Sequence, residues 1–300
     1  MVRRLIGIAA LAMAGAAVVA WCRSVWTGMT SWTTGMSSNG MAYARWGAGT
    51  KTLLLMPGGP GNFTPTGMEQ LIRLRKFRPF VEDGYTIWAV TRKLGMPPGH
   101  SIADMADDYA EFIERELDGK VDIALSVSFG GFIGFYLAQR HPDRFGHIAI
   151  TMAGPTVSKR GKHIDYSMAE RLSQGRVVEA SSGMLMDYYP DLNHRLARLG
   201  GEVMGRFAFA GMHPEFASDV MVEAEAEVAF DARPILPKIG VPVLLIGGDA
   251  DFMFPEGYLE ETARLIPDCT LRVYEGKDQM QTFADERLCP DVLDFVRSHR

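Results

Sequence analysis

Apolar and polar positions alternate along this chain with two periods, and the periods change places in a regular order. Short, nearly unbroken apolar runs mark strands buried on both faces of a sheet. Segments whose apolar residues recur every three to four positions mark helices with one buried side. Strands are predicted at Thr52–Met56 (TLLLM), Tyr85–Thr91 (YTIWAVT), Val121–Val127 (VDIALSV), His147–Met152 (HIAITM), from Val241 (VPVLLIGG) and at Thr270–Tyr274 (TLRVY). Helices are predicted at Met68–Val81, Phe129–Arg140, Tyr258–Leu265 and Asp291–Arg297. Another helix carries the stripe Ile102, Met105, Tyr109, Phe112 and Ile113, started by Ser101 with Asp104 three residues on, a capping-box-like pair. Strands alternating with helices give an α/β fold, a mostly parallel sheet flanked by helices.

The alternation lapses in two places. Between the strands at 147–152 and 241, roughly eighty residues stand where such a connection normally takes a handful. That stretch is rich in helix formers, methionine and aromatic residues (MLMDYYP, VMGRFAFAGM). It is expected to be a helical cap, residues 156–235, inserted into a core formed by 41–155 and 236–300. At the other lapse, Arg3 and Arg4 precede an uncharged run from Leu5 to Trp21, followed by Cys22 and Arg23. Its length lies between a signal-peptide apolar region and a span of about twenty residues. Residues 1–22 therefore read as either a signal peptide, cleaved after Ala20, or a membrane anchor, with 23–40 as a linker. Export or membrane association through residues 5–21 follows, and a cytoplasmic location follows if the start codon is misassigned.

Composition narrows the function classes. With 47% apolar and 22% charged residues, 300 residues suffice for one large core. A net charge of −5 and no long basic run give little attraction for phosphate backbones, so nucleic acid is excluded as a partner and a small-molecule substrate is expected. The three cysteines, Cys22, Cys269 and Cys289, lack metal-type spacing. With Cys269 opening the last strand and Cys289 just before the last helix, strand length alone separates the two by roughly 20 Å, and no bridge is expected. PGGPGN lacks the spacing of a phosphate or dinucleotide loop, so no cofactor is implied.

The candidate chemistry lies at the carboxyl ends of the predicted strands. In SVSFGG a strand runs directly into a helix, a turn so sharp that residues two before and two after its apex must be small. Ser126, Ser128 and Gly130 satisfy this, and Ser128 is the apex. On its own such a serine is also a common helix cap. Pro57, Gly58, Gly59, Pro60 and Gly61 follow an earlier strand, where glycine lets backbone N–H groups approach a developing oxyanion. Gly248, Asp251 and Pro255 follow a later one, with Asp249 as a second acid, and Gly276, Lys277, Asp278, Gln279 and Met280 follow the last.

In this order the motifs resemble those of the α/β-hydrolase superfamily, its proline iminopeptidase-like and esterase-like serine hydrolases in particular. The resemblance covers about Met41 to Arg297, the cap matching only in being helical. It implies Ser128 as nucleophile in a GxSxG elbow, with Ser126 replacing the first glycine, and Asp251 rather than Asp249 as the triad acid. The N–H groups of Gly59 and Phe129 would be the oxyanion donors, in a loop where Pro57 stands for the usual histidine. It also implies a histidine where this chain has Gln279. A carboxamide can hydrogen-bond to Ser128 but is far too weak a base to take its proton. Two readings stay open: a serine hydrolase of small or medium, largely apolar ester-like substrates with impaired turnover, or an inactive ligand-binding protein of the same fold. Serine in place of aspartate at 128 argues against epoxide and haloalkane hydrolysis. His100, His213 and Asp278 are weaker candidates for a replacement base.

Overall fold

The computed structural model describes residues 33–59, 67–208 and 212–299. The predicted signal peptide or anchor, most of the linker, and Pro60 and Gly61 lie outside the described residues. One eight-stranded sheet runs in the order β1-β2-β4-β3-β5-β6-β7-β8. Its strands are β1 (Thr33–Met36), β2 (Met41–Trp46), β3 (Lys51–Met56), β4 (Tyr85–Lys93), β5 (Val121–Val127), β6 (Phe145–Thr151), β7 (Val243–Gly248) and β8 (Cys269–Tyr274). β1, β2 and β4 pair antiparallel, and every other pairing is parallel.

The first two strands are not predicted from the sequence. β1 falls in the expected linker; as an almost wholly exposed edge strand, TTGM needs no apolar positions. β2, MAYARW, is half-buried and interrupted by Arg45.

Helices cover both faces. On one, α2 (Ile102–Glu116), α3 (Phe129–Arg140) and α8 (Tyr258–Leu265) bury Tyr109, Phe112, Phe132, Phe135 and Leu259. On the other, α1 (Gly67–Glu82) and α10 (Leu288–Ser298) bury Phe77, Phe80, Val292 and Phe295. The expected capping box opens α2: Ser101 Oγ accepts from Asp104 N and Asp104 Oδ2 from Ser101 N. Cys269 and Cys289 are free thiols, and Cys289 lies inside α10 rather than ahead of it. Among the described residues between β6 and β7 are the α-helices α4 (Lys159–Ser173), α5 (Val177–Tyr188), α6 (His194–Ala208) and α7 (Phe216–Ala229), with a small apolar centre of their own around Leu172, Phe216 and Val220.

Register decides where the site forms. Met56 at the end of β3 lies beside Ser126 near the end of β5, so the segments that follow, 57–59 and 128–129, leave the sheet together. Gly248 likewise pairs with Tyr274, which brings the segments after β7 and β8 to the same edge. In open parallel sheets this carboxyl edge is where ligands bind.

Candidate functional site

Ser128 sits between β5 and α3 with φ 52° and ψ −116°, a conformation that costs a residue other than glycine about 1–3 kcal/mol. The turn is held by Ser128 N donating to Thr151 O (2.8 Å) and Gly131 N to Ser128 O (2.6 Å). Gly130 is required by contact: a Cβ there would stand 2.4 Å from the Met56 carbonyl oxygen. Ser126 is tolerated in place of glycine because its buried hydroxyl donates to Ala149 O at 3.1 Å.

The loop after β3 lies directly against Ser128. A Cβ on Gly58 would meet Ser128 Cβ at 3.3 Å and Oγ at 3.8 Å, and Gly59 has φ 140°. Phe129, buried, begins α3 on the other side of the serine. The chain thus collects Gly58, Gly59, Ser128 and Phe129 at one point.

Two acids follow β7, and their surroundings separate them. Asp249 is exposed and accepts from Gly276 N at 2.6 Å, which ties down the turn after β8. Asp251 is 3% exposed, with Oδ1 accepting from Met253 N at 2.8 Å. Burial pushes its pKa up to about 6, against the pull of the Met253 and Phe254 amides. A carboxyl group raised in the folded state lowers stability as pH climbs from the unfolded value of 3.8 through 6, a cost of at most about 3 kcal/mol. Asp251→Asn is therefore expected to be neutral at pH 4 and to stabilise by about 1–3 kcal/mol at pH 8, read from urea midpoints at the two pH values. A gain equal at both would refute the burial cost.

Gln279 is the first residue of α9 (Gln279–Ala284), a helix not predicted from the sequence. Asp278 caps it, accepting from Gln281 N, so the carboxylate next to Gln279 is already engaged. The Gln279 side chain is buried; Nε2 donates to Ser128 Oγ at 2.7 Å and Oε1 accepts from Tyr188 OH at 2.5 Å. Tyr188, at the end of α5, packs edge-on against Phe252, and burial drives its phenol well above the ordinary tyrosine range. Both ends of the amide are satisfied. Ser128 Oγ receives a hydrogen bond at this position, and no base stands there to take its proton. Asp251 is not hydrogen-bonded to Gln279 among the described residues.

The histidines among the described residues are engaged elsewhere or exposed. His100 pairs with Asp108 (2.8 Å), His141 with Asp107 (2.7 Å) and His147 with the His299 carbonyl (3.3 Å). His213 lies by Glu215 and Asp219, and His163 and His194 are exposed.

A model of the alpha/beta hydrolase fold family matches residues 51–280. The chain belongs to that family. Pimeloyl-[acyl-carrier protein] methyl ester esterase of Neisseria meningitidis is 27% identical over 195 residues, 59% of this chain and 59% of the relative's own length. A hydrolase from Pseudomonas aeruginosa superposes with TM-score 0.66 at 19% identity, covering 88% of this chain and 98% of that one. A bacterial membrane phospholipase A superposes with TM-score 0.63 at 24% identity, covering 99% of each chain. These structural likenesses carry the fold alone.

Within this α/β hydrolase, Tyr188, Arg92 and Glu223 were not singled out from sequence. Arg92 and Glu223 are fully buried and joined by two hydrogen bonds, Nε to Oε1 at 2.8 Å and Nη2 to Oε2 at 2.9 Å. A signal was present: Asp219, Glu223 and Glu227 recur every fourth residue along α7, an acidic stripe that is buried throughout. Glu227 meets Asp165 of α4, and burial raises both carboxyl groups, Asp165 to about 7. The charge of Asp165 adds to the rise at Glu227, while at Asp165 the hydrogen bond with Glu227 pulls the other way and the charges of Asp251 and Asp187 add to the rise.

Proposed function

We propose that this α/β hydrolase is built as a serine hydrolase for small or medium, largely apolar ester-like substrates, with turnover curtailed at position 279. Ser128 is the nucleophile, the amides of Gly59 and Phe129 receive the oxyanion, and Asp251 is the acid of the triad. The observation that carries this reading is the strained Ser128 turn with the Gly58–Gly59 loop against it and a side chain at 279 hydrogen-bonded to its hydroxyl. Acyl transfer needs a group that removes the Ser128 proton and returns it to the leaving oxygen. Gln279 holds the geometry and cannot do this. Oxyanion donors and binding alone leave about 10³–10⁴-fold over the uncatalysed rate, so slow ester cleavage is expected. The apolar substrate class is supported by Tyr188 and Phe252 packed together beside the site.

A second reading, a ligand-binding protein without turnover, is favoured by the amide of Gln279 being satisfied at both ends. With Gln279 donating to Ser128 Oγ, the serine proton is free to donate to a ligand carbonyl. A fluorophosphonate probe separates the two. Slow covalent labelling at Ser128, lost in Ser128→Ala, supports the hydrolase reading. No labelling, together with a rise in melting temperature on adding an uncleaved ester analogue, would replace it with the binding reading.

A further inference from the structure

A buried side chain outside this site holds the loop that lies against Ser128. Arg92, in β4, donates through Nη1 to the Pro57 carbonyl at 2.8 Å and shares the Gly58 carbonyl between Nη1 at 3.3 Å and Nη2 at 3.4 Å. In a planar trans peptide the C=O and the following N–H point in opposite directions. A guanidinium that holds the Gly58 carbonyl therefore turns the Gly59 N–H to the side away from itself. The Arg92 guanidinium carbon also lies 4.7 Å from the centre of the Phe129 ring, and Phe129 supplies the other donor. One side chain thus touches both the peptide that carries the Gly59 N–H and the ring of Phe129.

Arg92 is in turn held by the cap. Glu223 of α7 grips its Nε and Nη2 edge, leaving the remaining donors for the two carbonyls. One turn earlier on α7, Asp219 accepts from Gly95 N at 2.9 Å and Met96 N at 2.8 Å, just beyond the strand that carries Arg92. The helix is fastened at two points to the segment that aims the oxyanion loop.

We infer that Arg92 is a positioning residue for the oxyanion hole, and that its pairing with Glu223 ties the orientation of the Gly59 amide to the seating of cap helix α7. The inference rests on the reading of Gly59 and Phe129 as oxyanion donors, and its tests are chosen to fail separately from that reading. Lysine at 92 keeps the charge but cannot grip Glu223 and both carbonyls in one plane.

Two measurements decide it. In a Gln279→His chain, adding Arg92→Met with Glu223→Met, which removes both buried charges together, is expected to lower kcat by about 10²-fold, the scale of one lost oxyanion donor, with KM changed by less than about twofold. Arg92→Lys is expected to fall in between and serves in place of the pair if the double variant does not fold. An unchanged kcat, or a loss confined to KM, overturns the inference. Independently of turnover, a crystal structure of the same variant with Gln279 retained should show the Gly58–Gly59 peptide rotated from its present orientation. An unmoved peptide overturns the inference even if no hydrolysis is ever detected, while a rotated peptide in a chain without hydrolysis keeps it and removes only the proposed activity.

Discussion

Gln279→His is expected to raise the hydrolysis of p-nitrophenyl esters by at least about 10³-fold, because it puts a general base where a carboxamide now hydrogen-bonds to Ser128 Oγ. The imidazole would start from the first residue of α9, as the carboxamide does, and the amide nitrogen now reaches Ser128 Oγ at 2.7 Å, so the distance to the nucleophile is already set. Asp251 is waiting in the right chemical state. Its carboxyl group is buried and lifted to about 6 with only backbone amides to favour its charge. An imidazolium beside it would stabilise the carboxylate, and the carboxylate would in turn select the tautomer whose unprotonated nitrogen faces Ser128. Activity of the variant should therefore rise with pH through the histidine pKa, and Asp251→Asn in that background should remove most of the gain, a factor of up to about 10⁴. Tyr188 would lose its acceptor at 279, and Tyr188→Phe should leave the gain intact. Unchanged activity on Gln279→His, with Ser128→Ala also without effect, would sink the triad assignment.

Breaking the Arg92–Glu223 pair from one side is expected to cost about 3–5 kcal/mol of stability, more than any other single substitution discussed. Both side chains have 0% exposure, so neither survivor has water to turn to. Glu223→Leu would remove the carboxylate that balances the buried guanidinium, and Arg92→Met would remove the two guanidinium hydrogen bonds of the buried carboxylate. The double variant removes both charges and should lose far less than the sum of the singles, which a urea-melt double-mutant cycle would show as a coupling of about 2 kcal/mol or more. The double variant should still fall short of wild type, because the Pro57 and Gly58 carbonyls lose their donor. Additive singles, each below about 1 kcal/mol, would mean that the pair is not the buried anchor described.

The core of the fold was legible because its strands are buried on both faces and its helices on one, so burial itself wrote the pattern. TLLLM, VDIALSV and VPVLLIGG need no context to be read as strands. Ser128 was legible for a different reason: a strand that turns into a helix within one residue demands small neighbours, and Ser126 and Gly130 record that demand. β1 left no such trace because an exposed edge strand answers to backbone pairing alone. α9 is shorter than two turns, too brief for a helical period. Arg92 and Glu223 lie 131 positions apart, and nothing local in either segment points to the other. The capping of Gln279 by Tyr188 is hidden in the same way, since MLMDYYP read as apolar cap material.

By itself the sequence determined the α/β order of elements, the serine at the sharp turn, the glycine loop, the two aspartates after β7 and a glutamine in the segment that follows the last strand. Each is a local demand of backbone geometry or of residue chemistry, met within a few positions. Only the tertiary structure decided that Asp251 and not Asp249 is buried, that the Gln279 amide is locked between Ser128 and Tyr188, and that Glu223 of α7 reaches the Pro57–Gly58 segment through Arg92. Those are properties of side chains brought together across the sheet edge, where burial and the directions of hydrogen bonds depend on every packed element at once.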